Sequence, residues 1–171
     1  MGELQDNLVR IVVDTREQVP FSFAGYPVAL VPGTLADGDY SLAGFERRVA
    51  VERKSLADLA GCLSRDRERF QRELARLRGY DAAAVVVESP AEDLREGRYR
   101  SDLDAGAAWQ SVLAFTMRYR VPFIFSLDRA DAEKNTFDFL RHFHRDRVRE
   151  LEALGIGGAK RKIPLPPPAK P

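Results

Sequence analysis

Cysteine and histidine are nearly missing from this sequence: Cys62 stands alone, and His142 and His144 are the only histidines. One thiol cannot close an intramolecular disulfide, and there is no Cys/His cluster for structural zinc. Any metal held here must be bound mainly by carboxylates, and oxygen donors favour Mg2+ or Mn2+ over softer ions. Lysine is scarce as well, since of 27 basic residues only five are Lys, and Lys54 alone precedes Lys134. No apolar run approaches the roughly 18 residues that a membrane-spanning helix needs. The N-terminus places Glu3 and Asp6 ahead of its apolar stretch, and it lacks the positive start, apolar middle and small-residue cleavage site of a secretion signal. The chain is therefore expected to remain in the cytoplasm.

What is present is the composition of one soluble globular domain: 171 residues, 44% hydrophobic and 31% charged, enough for a single substantial core. The net charge of +1 is silent about polyanions, but its distribution is uneven, with ten basic against six acidic residues between Glu46 and Arg78. Such a local excess of arginine suits a phosphate-contacting face, and a solvated helix with Glu68–Arg72 pairs has the same appearance.

Apolar periodicity orders the chain. Leu8 to Val13 reads as a buried strand ending in the polar set Asp14-Thr15-Arg16-Glu17. A short strand around Val28 to Val31 fits between prolines and glycines, and Gly38 to Leu42 begins a hairpin that turns at Gly44 to Arg47 into Val49 to Glu52. Ser55 is an N-cap with Asp58 three residues on, before a helix carrying Leu56, Leu59 and Leu63. A second helix, Asp66 to Arg78, separates Phe70, Leu74 and Leu77 from its arginines. Then come a buried strand (Ala82 to Val87), a polar loop, a helix from Leu103 to Arg120 with Trp109, Val112, Leu113 and Met117 facing inward, a buried strand (Val121 to Leu127), and a helix from Ala130 to Leu154. This order is that of an α/β domain with a mixed central β-sheet flanked by helices. Residues 155–171, with their glycines, three lysines and five prolines, read as a flexible basic tail on a domain spanning 1–154.

Two acids and a lysine fall at one edge of this sheet. The hairpin brings Asp39, at a strand start, to Glu52, at the next strand's end, and a period of two points Glu52 and Lys54 to one side and Arg53 to the other. Asp14, ending the first strand, completes the cluster. Carboxylates that hold a divalent metal, beside an ammonium near the attacking water, are what phosphodiester hydrolysis needs. A compact ammonium can sit beside that water as a planar guanidinium cannot, which singles out Lys54 among the arginines.

Asp14-Thr15-Arg16-Glu17, Gly38-Asp39-Tyr40 and Val51-Glu52-Arg53-Lys54-Ser55-Leu56-Ala57-Asp58-Leu59 together resemble the XPF family of structure-specific nucleases, whose pattern is Gly-Asp, a spacer, Glu-Arg-Lys, three residues, Asp. The resemblance runs from about Leu8 to Asp146. It implies a restriction-endonuclease-like fold and a Mg2+- or Mn2+-dependent DNA endonuclease acting on branched, flap or junction DNA in repair or recombination. By the same resemblance Asp14, Asp39 and Glu52 are metal ligands, Lys54 positions or activates water, and Arg16, Glu17, Arg53 and Asp58 support the site. Family members usually continue into a tandem helix-hairpin-helix domain. Here Leu151 to Gly158 looks like the opening of one, but prolines follow where its second helix should stand, so the nuclease domain alone is expected. A homodimer through the last helix, or a protein partner that supplies DNA binding, would make up for that module. The alternative is a non-catalytic DNA-binding or scaffold subunit, although such subunits usually lose the acids that are intact here.

Other residues invite plainer readings. Cys62 is a small helix-face residue, His142 and His144 belong to a helix surface, and the stripe Phe137, Leu140, Phe143, His144 is core packing or an interface.

Overall fold

The computed structural model describes residues 8–156. The tail from 157 on, including Lys160, Arg161, Lys162 and the end of the hairpin-like segment, lies outside the described residues. β1 (Val9–Asp14), β2 (Val28–Gly33), β3 (Tyr40–Leu42) and β4 (Val49–Lys54) come first, followed by α1 (Leu56–Leu63) and α2 (Arg67–Leu77). β5 (Ala82–Val87), α3 (Ala91–Arg95), α4 (Ala105–Tyr119), β6 (Phe123–Phe125) and α5 (Arg129–Ala153) complete the order. The strands form one six-stranded sheet in the order β2-β1-β3-β4-β5-β6. β3 runs antiparallel to both β1 and β4, while β1–β2, β4–β5 and β5–β6 are parallel, so the sheet is mixed.

Helices cover both faces. On one, Leu59 and Leu63 of α1, Phe70, Leu74 and Leu77 of α2, and Ala108, Val112 and Phe115 of α4 pack on Ala50, Val85 and Val87. On the other, Ala132, Phe137, Leu140 and Phe143 of α5 pack with Ile11, Tyr40, Leu42, Val49, Val51 and Val86. Adjacent residues of β4 and β5 thus serve opposite cores, which is why these strands read as unbroken apolar runs. Each fully buried Leu or Phe contributes roughly 1.5–3 kcal/mol from apolar burial.

Ser55 caps α1 as its spacing predicts: its hydroxyl accepts from the Asp58 N–H at 3.1 Å and donates to the Asp58 carboxylate at 2.6 Å. Three local expectations change. Leu113 and Met117 are 46% and 76% exposed, because the inward stripe of α4 runs through Ala108, Ser111, Val112 and Phe115 and the other two residues lie off it. Trp109 lies between these faces, with Arg95 3.9 Å above its ring. The last strand shrinks to Phe123–Phe125 and is only half-buried, being an edge strand with a neighbour on one side. The polar loop after β5 holds the short helix α3. No described helix is long and apolar enough to cross a membrane.

Candidate active site

β1, β3 and β4 deliver their polar ends to one edge because the backbone ties them there: Asp14 N–H donates to Asp39 C=O, and Asp39 N–H to Val51 C=O, each at 2.9 Å. Gly38 permits the approach. Its φ is +79°, and a Cβ would sit 3.1 Å from the Val51 carbonyl oxygen, so the left-handed turn and the close contact both require glycine.

Asp14 is buried, and both its oxygens are engaged. Arg16 donates its backbone N–H (2.8 Å) and its Nε (2.8 Å) to one oxygen, while Arg16 Nη2 (2.9 Å) and Leu35 N–H (2.7 Å) reach the other. The Arg16 side chain, helped by these N–H groups, holds the carboxyl down at about 2. Asp39 has no such guanidinium; one oxygen accepts from Arg53 N–H at 2.8 Å. Burial, then the proximity of Glu52, raises its carboxyl to about 7. Glu52 is buried and pairs with Lys54, yet desolvation and the neighbouring Glu73 still push it up. Burial pulls the Lys54 ammonium down, but Glu52 and Glu73 outweigh it, and the net shift is upward. Lys54 Nζ also lies 5.6 Å from the Phe70 ring centre.

The period of two divides the Glu-Arg-Lys run between the faces. Glu52 and Lys54 look toward α2. Arg53 looks toward α5, where it forks onto both oxygens of Glu17 at 3.0 Å each and reaches Glu88 at 3.1 Å. Glu88 also accepts from Arg129 at 2.5 Å, and Arg129 bonds the carbonyls of Val19 and Pro20. Loss of solvent alone would lower the Arg53 pKa; the carboxylates of Glu17 and Glu88 reverse this and raise it. The chain Arg129–Glu88–Arg53–Glu17 thereby pins the segment after Asp14 to the ends of β4 and β5.

A cleft of about 240 Å3 opens at this edge, lined among others by Asp14, Arg16, Asp37, Asp39, Glu52, Glu73 and Arg76. The structure thus gathers Asp14, Arg16, Asp39 and Glu52 in one cleft. Lys54 is joined to it through Glu52, and Arg53 and Glu17 lie behind it. Asp58 lines a different, larger hollow with Arg65, Arg100 and Asp104, and its contacts are those of helix capping. His142 is exposed, and His144 lines a groove with Val9 and Arg145.

Sequence reasoning missed Glu73, Asp37, Arg76, Glu88 and Arg129. Glu88 carried a signal, since it directly follows the apolar run Ala82 to Val87 as Asp14 follows that of the first strand; the register of Val87 with Lys54 sets it at the same sheet edge. The others depend on which helix packs against which face.

As the side chains stand, no three described carboxylates are gathered tightly enough to chelate an ion, because Asp14 is folded onto Arg16 and Glu52 onto Lys54. The donor set nonetheless fits a hard divalent cation. Asp14, Asp37, Asp39, Glu52 and Glu73 bring five carboxyls to the cleft. The cations paired with them are Arg16, Arg76 and Lys54, and the Arg16 side chain is 66% exposed and can swing to solvent. Oxygen donors in charge excess are what Mg2+ and Mn2+ select.

The sequence pattern of the ERCC4 domain matches residues 13–140. No curated protein matches the chain. Among solved structures, XPF from Aeropyrum pernix is similar, with a TM-score of 0.62 at 24% identity. The match covers 77% of this chain and 60% of that one, so the chain spans about three-fifths of that structure. At this identity the likeness establishes a shared fold. With the family pattern matching residues 13–140, from the end of β1 into α5, the chain belongs to the ERCC4 domain family.

Proposed function

We propose that this protein is a divalent-metal-dependent DNA endonuclease that hydrolyses phosphodiesters in branched, flap or junction DNA, in repair or recombination. The observation that carries this reading is the assembly of Asp14, Asp39 and Glu52 around one cleft, with Lys54 held against Glu52. Asp14, Asp39 and Glu52 are the residues that would hold Mg2+ or Mn2+. The ion, when bound, supplies Lewis acidity toward the scissile phosphodiester.

The chain's own residues do the rest. Lys54 brings a localised positive charge to the attacking water and to the charge that develops on the phosphate. Arg53 holds Glu17 with its side chain and Asp39 with its backbone N–H, fixing both halves of the site with one residue. Arg16, at the mouth of the cleft, is placed to meet a flanking phosphate. On α2 and the turn before it, Arg65, Arg69 and Arg72 stand 83%, 71% and 66% exposed; their pairs with Asp66 and Glu68 are surface contacts worth little, so these arginines are available to a DNA backbone. The domain proper is read as residues 1–154, acting in the cytoplasm, with DNA binding supplemented by a second copy or a partner protein.

The test is cleavage of labelled flap, fork, four-way and plain duplex DNA with Mg2+, Mn2+ or EDTA, alongside Asp39→Ala and Lys54→Ala. Metal-dependent cutting of branched DNA that both substitutions abolish is the expected result. Cutting in EDTA, or cutting that survives Asp39→Ala, overturns the reading. Binding without cutting under every metal points to the non-catalytic alternative.

A further inference from the structure

The charge pattern of the cleft assigns a role to a residue outside the sequence motif. A glutamate on an arginine-rich helix ordinarily finds a cation three or four positions away. Glu73 has two such neighbours, Arg69 and Arg76, yet Arg69 pairs with Asp66 at 3.6 Å and Arg76 with Asp37 at 2.5 Å. Among the described residues Glu73 forms no ion pair. It lines the cleft with Asp39 and Glu52 instead, one turn along α2 from the Phe70 ring that lies beneath Lys54. Asp39, likewise, is paired with no side-chain cation among the described residues. When both are ionised, the two unpaired carboxylates, Asp39 and Glu73, leave the cleft short of about the charge of one divalent ion.

We propose that Glu73 is a further oxygen ligand of the divalent-ion site, brought to Glu52 and Asp39 from the helical side of the cleft. The inference rests on the metal-dependent reading given above. It follows from topology: Glu52 and Lys54 occupy the face of β4 on which α1, α2 and α4 pack, and of these helices α2 is the one that lines the cleft, through Glu73 and Arg76. A glutamate reaching down from the helix raises the number of charged donors, which tunes divalent-ion affinity.

The experiment measures Mn2+ binding by titration calorimetry and by loss of the free-ion electron paramagnetic resonance signal, on the wild type, Glu73→Gln and Glu73→Asp. Urea unfolding in EDTA is recorded beside it. Glu73→Gln should bind Mn2+ about tenfold more weakly or worse while being no less stable without metal, because a repelled carboxylate has gone. Glu73→Asp, which keeps the charge on a shorter stem, should recover part of the affinity. Unchanged Mn2+ affinity in Glu73→Gln overturns the proposal, as does a loss of metal-free stability in that variant, which would make Glu73 a structural partner. If the wild type itself binds no Mn2+, the metal-dependent reading fails and this inference falls with it. If only the Glu73 variants behave like the wild type, the ligand assignment fails alone.

Discussion

Replacing Asp39 by Asn should stabilise the metal-free protein at alkaline pH and leave it unchanged in acid. Asp39 titrates at about 7 in the fold against an ordinary 3.8, because burial and Glu52 disfavour its charge. Between those values the folded chain keeps a proton that the unfolded chain releases, so wild-type stability falls as pH rises through the window and levels off above it. At about 1.4 kcal/mol per pH unit the full displacement corresponds to roughly 4 kcal/mol. Part of the displacement comes from the charge of the neighbouring Glu52, which relaxes as Asp39 changes, so we expect about half of this, roughly 2 kcal/mol, or a rise in Tm of roughly 4–8 °C. Asparagine keeps the acceptor for Arg53 N–H, now bonded at 2.8 Å, so little is lost on the other side. The assay is urea unfolding in EDTA at pH 4 and pH 8, repeated at pH 8 with Mn2+. The variant should match the wild type at pH 4 and exceed it at pH 8, and Mn2+ should erase or reverse the gain by stabilising only the wild type. A variant no more stable than the wild type at pH 8, or one equally stabilised at pH 4, would refute the reasoning.

Further outcomes follow from the same contacts. Lys54→Met should lower the rate of DNA cleavage roughly 100-fold or more, with DNA affinity nearly intact, as a comparison of single-turnover rates with filter binding will show. Arg53→Met strips two largely buried carboxylates, Glu17 and Glu88, of a shared cation and should cost roughly 3–5 kcal/mol in urea unfolding; Arg53→Lys should restore only part, lacking the fork. Gly38→Ala forces a side chain into a positive-φ turn against the Val51 carbonyl and should destabilise by about 1–2 kcal/mol or more, measured by thermal denaturation. Arg72→Ala, which removes only an exposed contact of 3.9 Å with Glu68, should change stability by less than about 0.5 kcal/mol and should weaken binding of every DNA tested to a similar degree.

Much of this protein was written in local sequence. The apolar runs of β1, β4 and β5, the Ser55 cap and the hairpin between β3 and β4 arise from interactions among near neighbours, so periodicity and turn chemistry reveal them. The same locality placed Glu52 and Lys54 on one side of β4 and Arg53 on the other before any tertiary contact was known. Where a choice depended on packing, local pattern failed. Leu113 and Met117 are as apolar as Val112, and only the choice of which face of α4 packs inward leaves them exposed. Asp58 shows both sides: its spacing from Ser55 announced the cap that forms, while the hollow it lines with Arg65, Arg100 and Asp104 depends on distant chain.

The division of labour has a physical cause. Backbone geometry and side-chain alternation act over a few residues, and they determined that Asp14, Asp39, Glu52 and Lys54 end their strands together. Which helices cover the two faces is decided by the burial of distant apolar stripes. That alone brought Glu73 of α2 against Glu52, and Arg129 of α5 against the Glu88–Arg53–Glu17 chain, residues that no spacing in the sequence connects.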